Sequence, residues 1–222
     1  MTAPADRFAA ALRGFGPLGL FAILIVLAGN LVAAPLSALL VLVWAGGSHT
    51  PWRELGFVPL RRWPAVVALA IVAGTAFKLL MKAVVMPFLG APPLNAAYGW
   101  LAGNTAALPG ILAAVTLGAG FGEETFYRSY LFERLGRLLG TQARAKAVIV
   151  LLTAGLFGLA HQTGQGVPGV QQATITGLVF GSVYAATGVI WPVMIAHAAF
   201  DVTAVALIYW RLEAAVAHLF FQ

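Results

Sequence analysis

The chain has 222 residues, 61% of them hydrophobic and only 9% charged, and a mean hydropathy of +0.91, which together exclude an ordinary soluble domain. Its net charge of +6 is no nucleic-acid footprint, because Arg and Lys sit mostly between apolar runs, where cytoplasmic anchoring places them. It has no cysteine, so disulfides and thiol catalysis are out.

Several apolar runs approach or exceed the ~20 residues that cross a bilayer, and none shows the ~10-residue alternation of a membrane barrel. The expected fold is an all-α, polytopic integral-membrane bundle of six to seven helices, one domain over residues 1–222. No compact charged, apolar and cleavage regions of a signal peptide stand at the N-terminus, so the first long apolar run reads as a retained span. Within residues 1–16, Phe8, Ala9, Leu12 and Phe15 share the spacing of a surface helix. Pro17–Trp44 reads as a first span that includes Asn30 and Pro35. Residues 45–64 form a polar loop with Arg53, Glu54, Arg61 and Arg62. Ala65–Leu89 is a second span, with Lys78 and Lys82 one turn apart on one face. Residues 90–107 carry Pro, Gly and Asn but no charge.

A third helix opens near Pro109, a favourable first-turn proline, and continues to about Leu139. Thirty residues at ~1.5 Å each give ~45 Å, more than the ~30 Å hydrocarbon core. Its last third, with Glu133, Arg134 and Arg137, is expected to emerge as an amphipathic extension. Gly140 is a helix stop and Thr141 a candidate cap. The fourth span runs from about Ala143 to His161, Gln162–Gly169 reads as a Gly-rich loop, the fifth span is about Val170–Thr187 and the sixth about Ile190–Trp210. Ala214–Phe221 is too short to span and reads as interfacial. Arg134, Arg137, Arg144 and Lys146 put the third-to-fourth link in the cytoplasm, with Arg53, Arg61 and Arg62 on the same side. Counting spans backwards then puts the N-terminus outside, against the charge of Arg7 and Arg13.

Ionisable side chains inside such spans are costly, and function is their default reading. If the third-to-fourth hairpin turns near Gln142, Glu123 and His161 are each nineteen residues from the turn and lie at one depth. A carboxylate and an imidazole at one level can activate water, with Glu accepting the proton. Glu124 and Arg128 are spaced i, i+4 with the acid first, the favourable order for a helical ion pair. That pairing leaves Glu123 freer to act. Tyr127, four residues on, shares Glu123's face and is a candidate hydrogen-bond partner. From spacing alone, both acids with Arg128 are equally consistent with a purely structural network. Phe157 and His161 are i, i+4, so the ring walls the imidazole. His197 and Asp201 repeat that spacing: the Asp can hold the His tautomer, or donate if protonated, and His197 can donate to a developing oxyanion.

His161, His197, Glu123 and Asp201 also form a nitrogen and oxygen set of the kind zinc accepts, but the zincin spacing of two His around a Glu is absent. Lys78 and Lys82 read as snorkelling or as paired within the bundle. Gln171 and Gln172 are candidates to line a substrate path. His49 and His218 have no partner spacing. No serine stands in a G-x-S-x-G setting, and Asp201 is the sole Asp in any span, so neither a Ser/His nor a paired-aspartate site has candidates.

Three motifs follow in order on successive apolar helices: E-E-x-x-x-R at Glu123–Arg128, F-x-x-x-H at Phe157–His161 and H-x-x-x-[N/D] at His197–Asp201. They resemble the CPBP family, which joins the type II CAAX prenyl endopeptidases with Abi-like bacterial proteins of bacteriocin processing and self-immunity. The resemblance covers about residues 108–205. It implies an intramembrane endopeptidase with Glu123 as general base assisted by His161, His197 and Asp201 on the oxyanion side, and Glu124 and Arg128 in support. The prenyl-protein enzymes typically have Asn at the last position, so Asp201 is expected to orient His197 rather than to donate. The implied partners are a peptide or protein substrate at the membrane and the lipid bilayer, without nucleic acid and without a required cofactor. The implied location is a bacterial plasma membrane. The rival readings are a non-enzymatic immunity or assembly factor and a proton-coupled transporter.

Overall fold

Prolines set many of the helix starts: Pro17, Pro35, Pro64, Pro109 and Pro192 all stand in first turns, where the missing N–H costs nothing. The computed structural model describes residues 4–221. In chain order the helices are α1 (Pro4–Arg13), α2 (Pro17–Val32), α3 (Ala34–Gly47), α4 (Trp63–Phe88), α5 (Thr105–Leu139), α6 (Ala143–Ala160), α7 (Gln162–Thr187), α8 (Trp191–Tyr209) and α9 (Glu213–Ala217). Short 3-10 turns at Trp52–Leu55 and Ala96–Leu101 lie in the long links. No strand occurs among the described residues, so the fold is an all-α bundle. Helices α4, α5, α6 and α8 are each long and apolar enough to cross a membrane.

The expected first span, Pro17–Trp44, is not one rod. The chain breaks at Ala33, whose backbone is extended (φ −166°, ψ 138°), and α3 folds back on α2. The two pack closely because Gly29 has no side chain where Leu40 and Ser37 approach. The Trp44 indole N–H donates to the Leu12 carbonyl at 3.2 Å, so the end of α3 returns to the end of α1. This removes the conflict over orientation. A hairpin contributes an even number of crossings, and Arg13 lies at the same end as Glu54, Glu133, Arg134 and Arg137. The basic residues of the N-terminus and of the α5–α6 link share one face of the protein, which the positive-inside rule assigns to the cytoplasm.

Helix α5 runs the full 35 residues and is the axis of the molecule. Over Ala114–Glu123 and Thr125–Tyr130 its hydrogen bonds widen to the i→i+5 pattern, a form found mostly near functional sites. Two glycines let its neighbours come close. A Cβ on Gly120 would lie 2.8 Å from Ala198 Cβ on α8, and one on Gly122 would lie 2.9 Å from the Ala34 carbonyl carbon at the α2–α3 break. Glu123 and Glu124 are thereby held directly against α8.

Helix α7 begins at Gln162, where a loop is expected, and is broken only by Gly166 (φ 63°) before Pro168. It is not among the four long apolar helices, because Gln165, Gln172 and Thr176 turn to an internal cavity. Gly140 ends α5 at φ 93°, and Gln142 rather than Thr141 stands at the N-cap of α6.

Candidate active site

Glu124 is fully buried, and one of its oxygens organises the site. Its Oε1 accepts from Arg128 Nη1 at 2.8 Å and from His197 Nδ1 at 2.7 Å. The first contact is the i, i+4 pair expected from spacing. The second crosses from α5 to α8. A carboxylate facing a guanidinium is an acceptor, so His197 carries its proton on Nδ1 and presents Nε2 on the opposite side of the ring. Arg128 is also held over the Phe157 ring, 4.7 Å from its centroid.

Nε2 of His197 lies 3.6 Å from Asp201 Oδ2 and 3.8 Å from Glu123 Oε2. Asp201 is expected to orient His197; the structure brings Asp201 next to Nε2, beside Glu123, and adds a second partner, Glu124, at Nδ1. The reason is geometric: the glycine-lined crossing brings Glu124 to Nδ1 from α5, while the i, i+4 step along α8 reaches only Nε2. Glu123 and Asp201 each keep part of their side chain accessible, 22% and 25%, against 0% for Glu124. Neither accepts a hydrogen bond from any described residue.

His161 caps the end of α6. Its Nδ1 lies 2.8 Å from the Phe157 carbonyl, and a carbonyl only accepts, so Nδ1 carries a proton and the acceptor of the neutral ring is Nε2. Phe157 packs edge-on to His161 at 4.7 Å, to Tyr127 at 4.9 Å and to His197 at 5.9 Å. One buried ring thus spaces both histidines. Tyr127 does not turn its hydroxyl to Glu123; it accepts from Asn30 Nδ2 at 3.4 Å, tying α5 to α2.

Glu123, His161, His197, Asp201 and Phe157 line one cavity of about 280 Å³. Lys78, Gln165 and Tyr98 line it as well. Burial first, then the carboxylates of Asp201 and Glu123, pushes the Tyr98 phenol above its ordinary range. Lys78 and Lys82 part company: Lys82 pairs with Glu213 at 2.8 Å, whereas Lys78 points inward to Gln172 Oε1 at 3.0 Å. Sequence reasoning gave Asn30 and Lys78 no site role; the signal available was a polar or charged side chain inside an apolar run. Among the described residues, no group of three or more His, Asp or Glu is arranged to hold a metal ion.

Glu123 and His161 line the same cavity as His197, so a carboxylate and an imidazole able to accept from a water share one chamber with a ring able to donate. A family model described as Type II CAAX prenyl endopeptidase Rce1-like matches residues 104–203, which contain all of these motif residues. No curated protein and no solved structure matches the chain.

Proposed function

We propose that this chain, whose residues 104–203 match the Rce1-like type II CAAX prenyl endopeptidase family model, hydrolyses a peptide bond of a membrane-associated protein with water activated by Glu123. The observation that carries the reading is the set of groups around His197. Its Nδ1 is locked by the Glu124–Arg128 pair, and its Nε2 faces Glu123 and Asp201 in the cavity that His161 also lines.

In this mechanism a water donates to Glu123 and to His161 Nε2. Its oxygen attacks the scissile carbonyl as Glu123 takes the proton. In the protonated His197 ring, Nε2–H donates to the oxyanion that forms, a contribution worth about 10²–10³ in rate. Collapse breaks the C–N bond, and Glu123 returns its proton to the leaving amine. Asp201, beside Nε2, stabilises the imidazolium between these steps, and protonated Asp201 can itself donate. Arg128 pairs with Glu124 in a dry setting, where pairing is nearly obligatory for either charge. The substrate is a peptide segment at the bilayer, and no step is assigned to a metal.

The test compares membranes containing wild-type protein or Glu123→Gln by mass spectrometry of newly formed peptide ends. Glu123→Gln is expected to lower product formation by about 10²–10⁴ without changing thermal unfolding. Equal cleavage by both proteins would overturn the reading, and equal biological function in both would favour an immunity or assembly factor. Activity that disappears on exhaustive chelation and returns with zinc would replace the metal-free mechanism.

A further inference from the structure

Two cavities share a wall of polar side chains beyond the hydrolytic groups. The first is the 280 Å³ chamber of Glu123 and His197; the second, about 490 Å³, extends toward Lys82 and Glu213. Lys78, Asn95, Gln165 and Gln172 line both.

Lys78 is only 6% exposed, yet among the described residues no carboxylate lies within ion-pairing reach of it. Its ammonium donates to one neutral amide, Gln172 Oε1, and rests over the Phe200 ring at 4.7 Å. An ammonium has three donors, and a buried cation is expensive without an anionic partner. The other interior cations are treated differently: Arg128 meets Glu124 and Lys82 meets Glu213, each at 2.8 Å. If Lys78 served only to balance the site's carboxylates, a direct contact of that kind would be expected. Instead it lines both cavities together with Gln172 and Asn95, whose side-chain amide nitrogens donate to no described residue.

We propose that Lys78, with the amides of Gln172 and Asn95, forms a subsite for a carboxylate of the bound peptide. The assignment rests on the peptidase reading for its biological meaning. Phe200 stands three residues beyond His197, so the subsite lies on the order of one helical turn from the reacting carbonyl, about 5 Å along α8. An extended peptide covers about 3.3–3.6 Å per residue, so the carboxylate belongs to a residue close to the scissile bond. It comes either from a chain terminus or from an acidic side chain.

The test uses Glu123→Gln protein, which binds without turning over, and small peptide probes read by calorimetry. The probes are acetyl-Leu-Leu-Val as free acid and as C-terminal amide, and the amides of acetyl-Leu-Glu-Val and acetyl-Leu-Gln-Val. A charge-assisted contact predicts that the carboxylate member of one pair binds about 10–100 times tighter than its neutral partner. The free-acid pair reports a terminus and the Glu/Gln pair a side chain. Lys78→Met is expected to erase the preference while leaving the neutral probes unchanged, and Lys78→Gln, which keeps a hydrogen-bonding end, guards against a misfolded variant. Carboxylate and neutral probes binding alike, a preference that survives both substitutions, or no binding of any probe to folded protein would overturn the subsite. Carboxylate preference without cleavage by the parent enzyme would instead refute the peptidase reading and leave the subsite standing.

Discussion

Two clusters of buried charge lie on the same helix, one near the middle of α5 and one near its end. At the end, Glu133 is met by Arg13, Arg134 and Arg137 at 3.4–3.7 Å, and Arg13 also pairs with Glu54. Arg134 spends further donors on the carbonyls of Arg13 and Gly14, the acceptors that the end of α1 leaves open. The cluster is rich in donors, and they tie segments together. In the middle, three carboxylates face one guanidinium and one imidazole. Glu124 Oε1 takes both donors, while Glu124 Oε2, Glu123 and Asp201 take none. A cluster that holds the fold satisfies its acceptors. The one beside the cavity leaves Glu123 and Asp201 at the cavity wall without a donor from any described residue.

Glu124→Gln should separate the clusters most sharply. It removes the charge that both Arg128 and His197 face, and breaking a fully buried pair costs about 3–5 kcal/mol. Reversible unfolding in mixed micelles should show that loss together with a collapse of activity. Unchanged stability would mean that Glu124 is not the anchor of the site. Glu133→Gln should act on stability alone. Arg137 is 42% exposed and shares Glu133 with two other guanidiniums, so screening cuts the expected cost to about 1–3 kcal/mol. Peptide-end yield per folded molecule should be unchanged; a drop in that yield would show that the end cluster reaches the site.

What the sequence disclosed follows the distance over which each arrangement is decided. Glu124 with Arg128 and Phe157 with His161 are one-turn relations, and helical periodicity alone sets them. The common cavity of Glu123 and His161 follows from a short hairpin with equal arms. The Glu124–His197 contact joins residues 73 apart and depends on how closely two glycines let α5 approach α8 and the α2–α3 break. Periodicity carries none of that. The fold-back at Ala33 is hidden for a similar reason: Pro17–Trp44 carries no charge to mark a break, and the close approach of Leu40 to Gly29 exists only once the two helices have folded together. Lys78 and Lys82 look equivalent on a helix face; what separates them is that Glu213 comes from the far end of the chain to only one of them.

Arg13→Met gives the smallest expected effect and the cleanest reading of the comparison. Arg13 is 21% exposed and its partner Glu54 is 47% exposed, so water screens much of their attraction. Exposed pairs of this kind contribute about 0–1 kcal/mol. The Arg13 backbone carbonyl, not its side chain, is what Arg134 grips at 2.8 Å, and that contact survives the substitution. Thermal unfolding should therefore shift little and peptide-end yield not at all. A large destabilisation would place the N-terminal arm among the essential supports of α5. A loss of activity without destabilisation would mean that the two clusters on α5 are coupled through the helix, and that its wide turns transmit what happens at its charged end to Glu123.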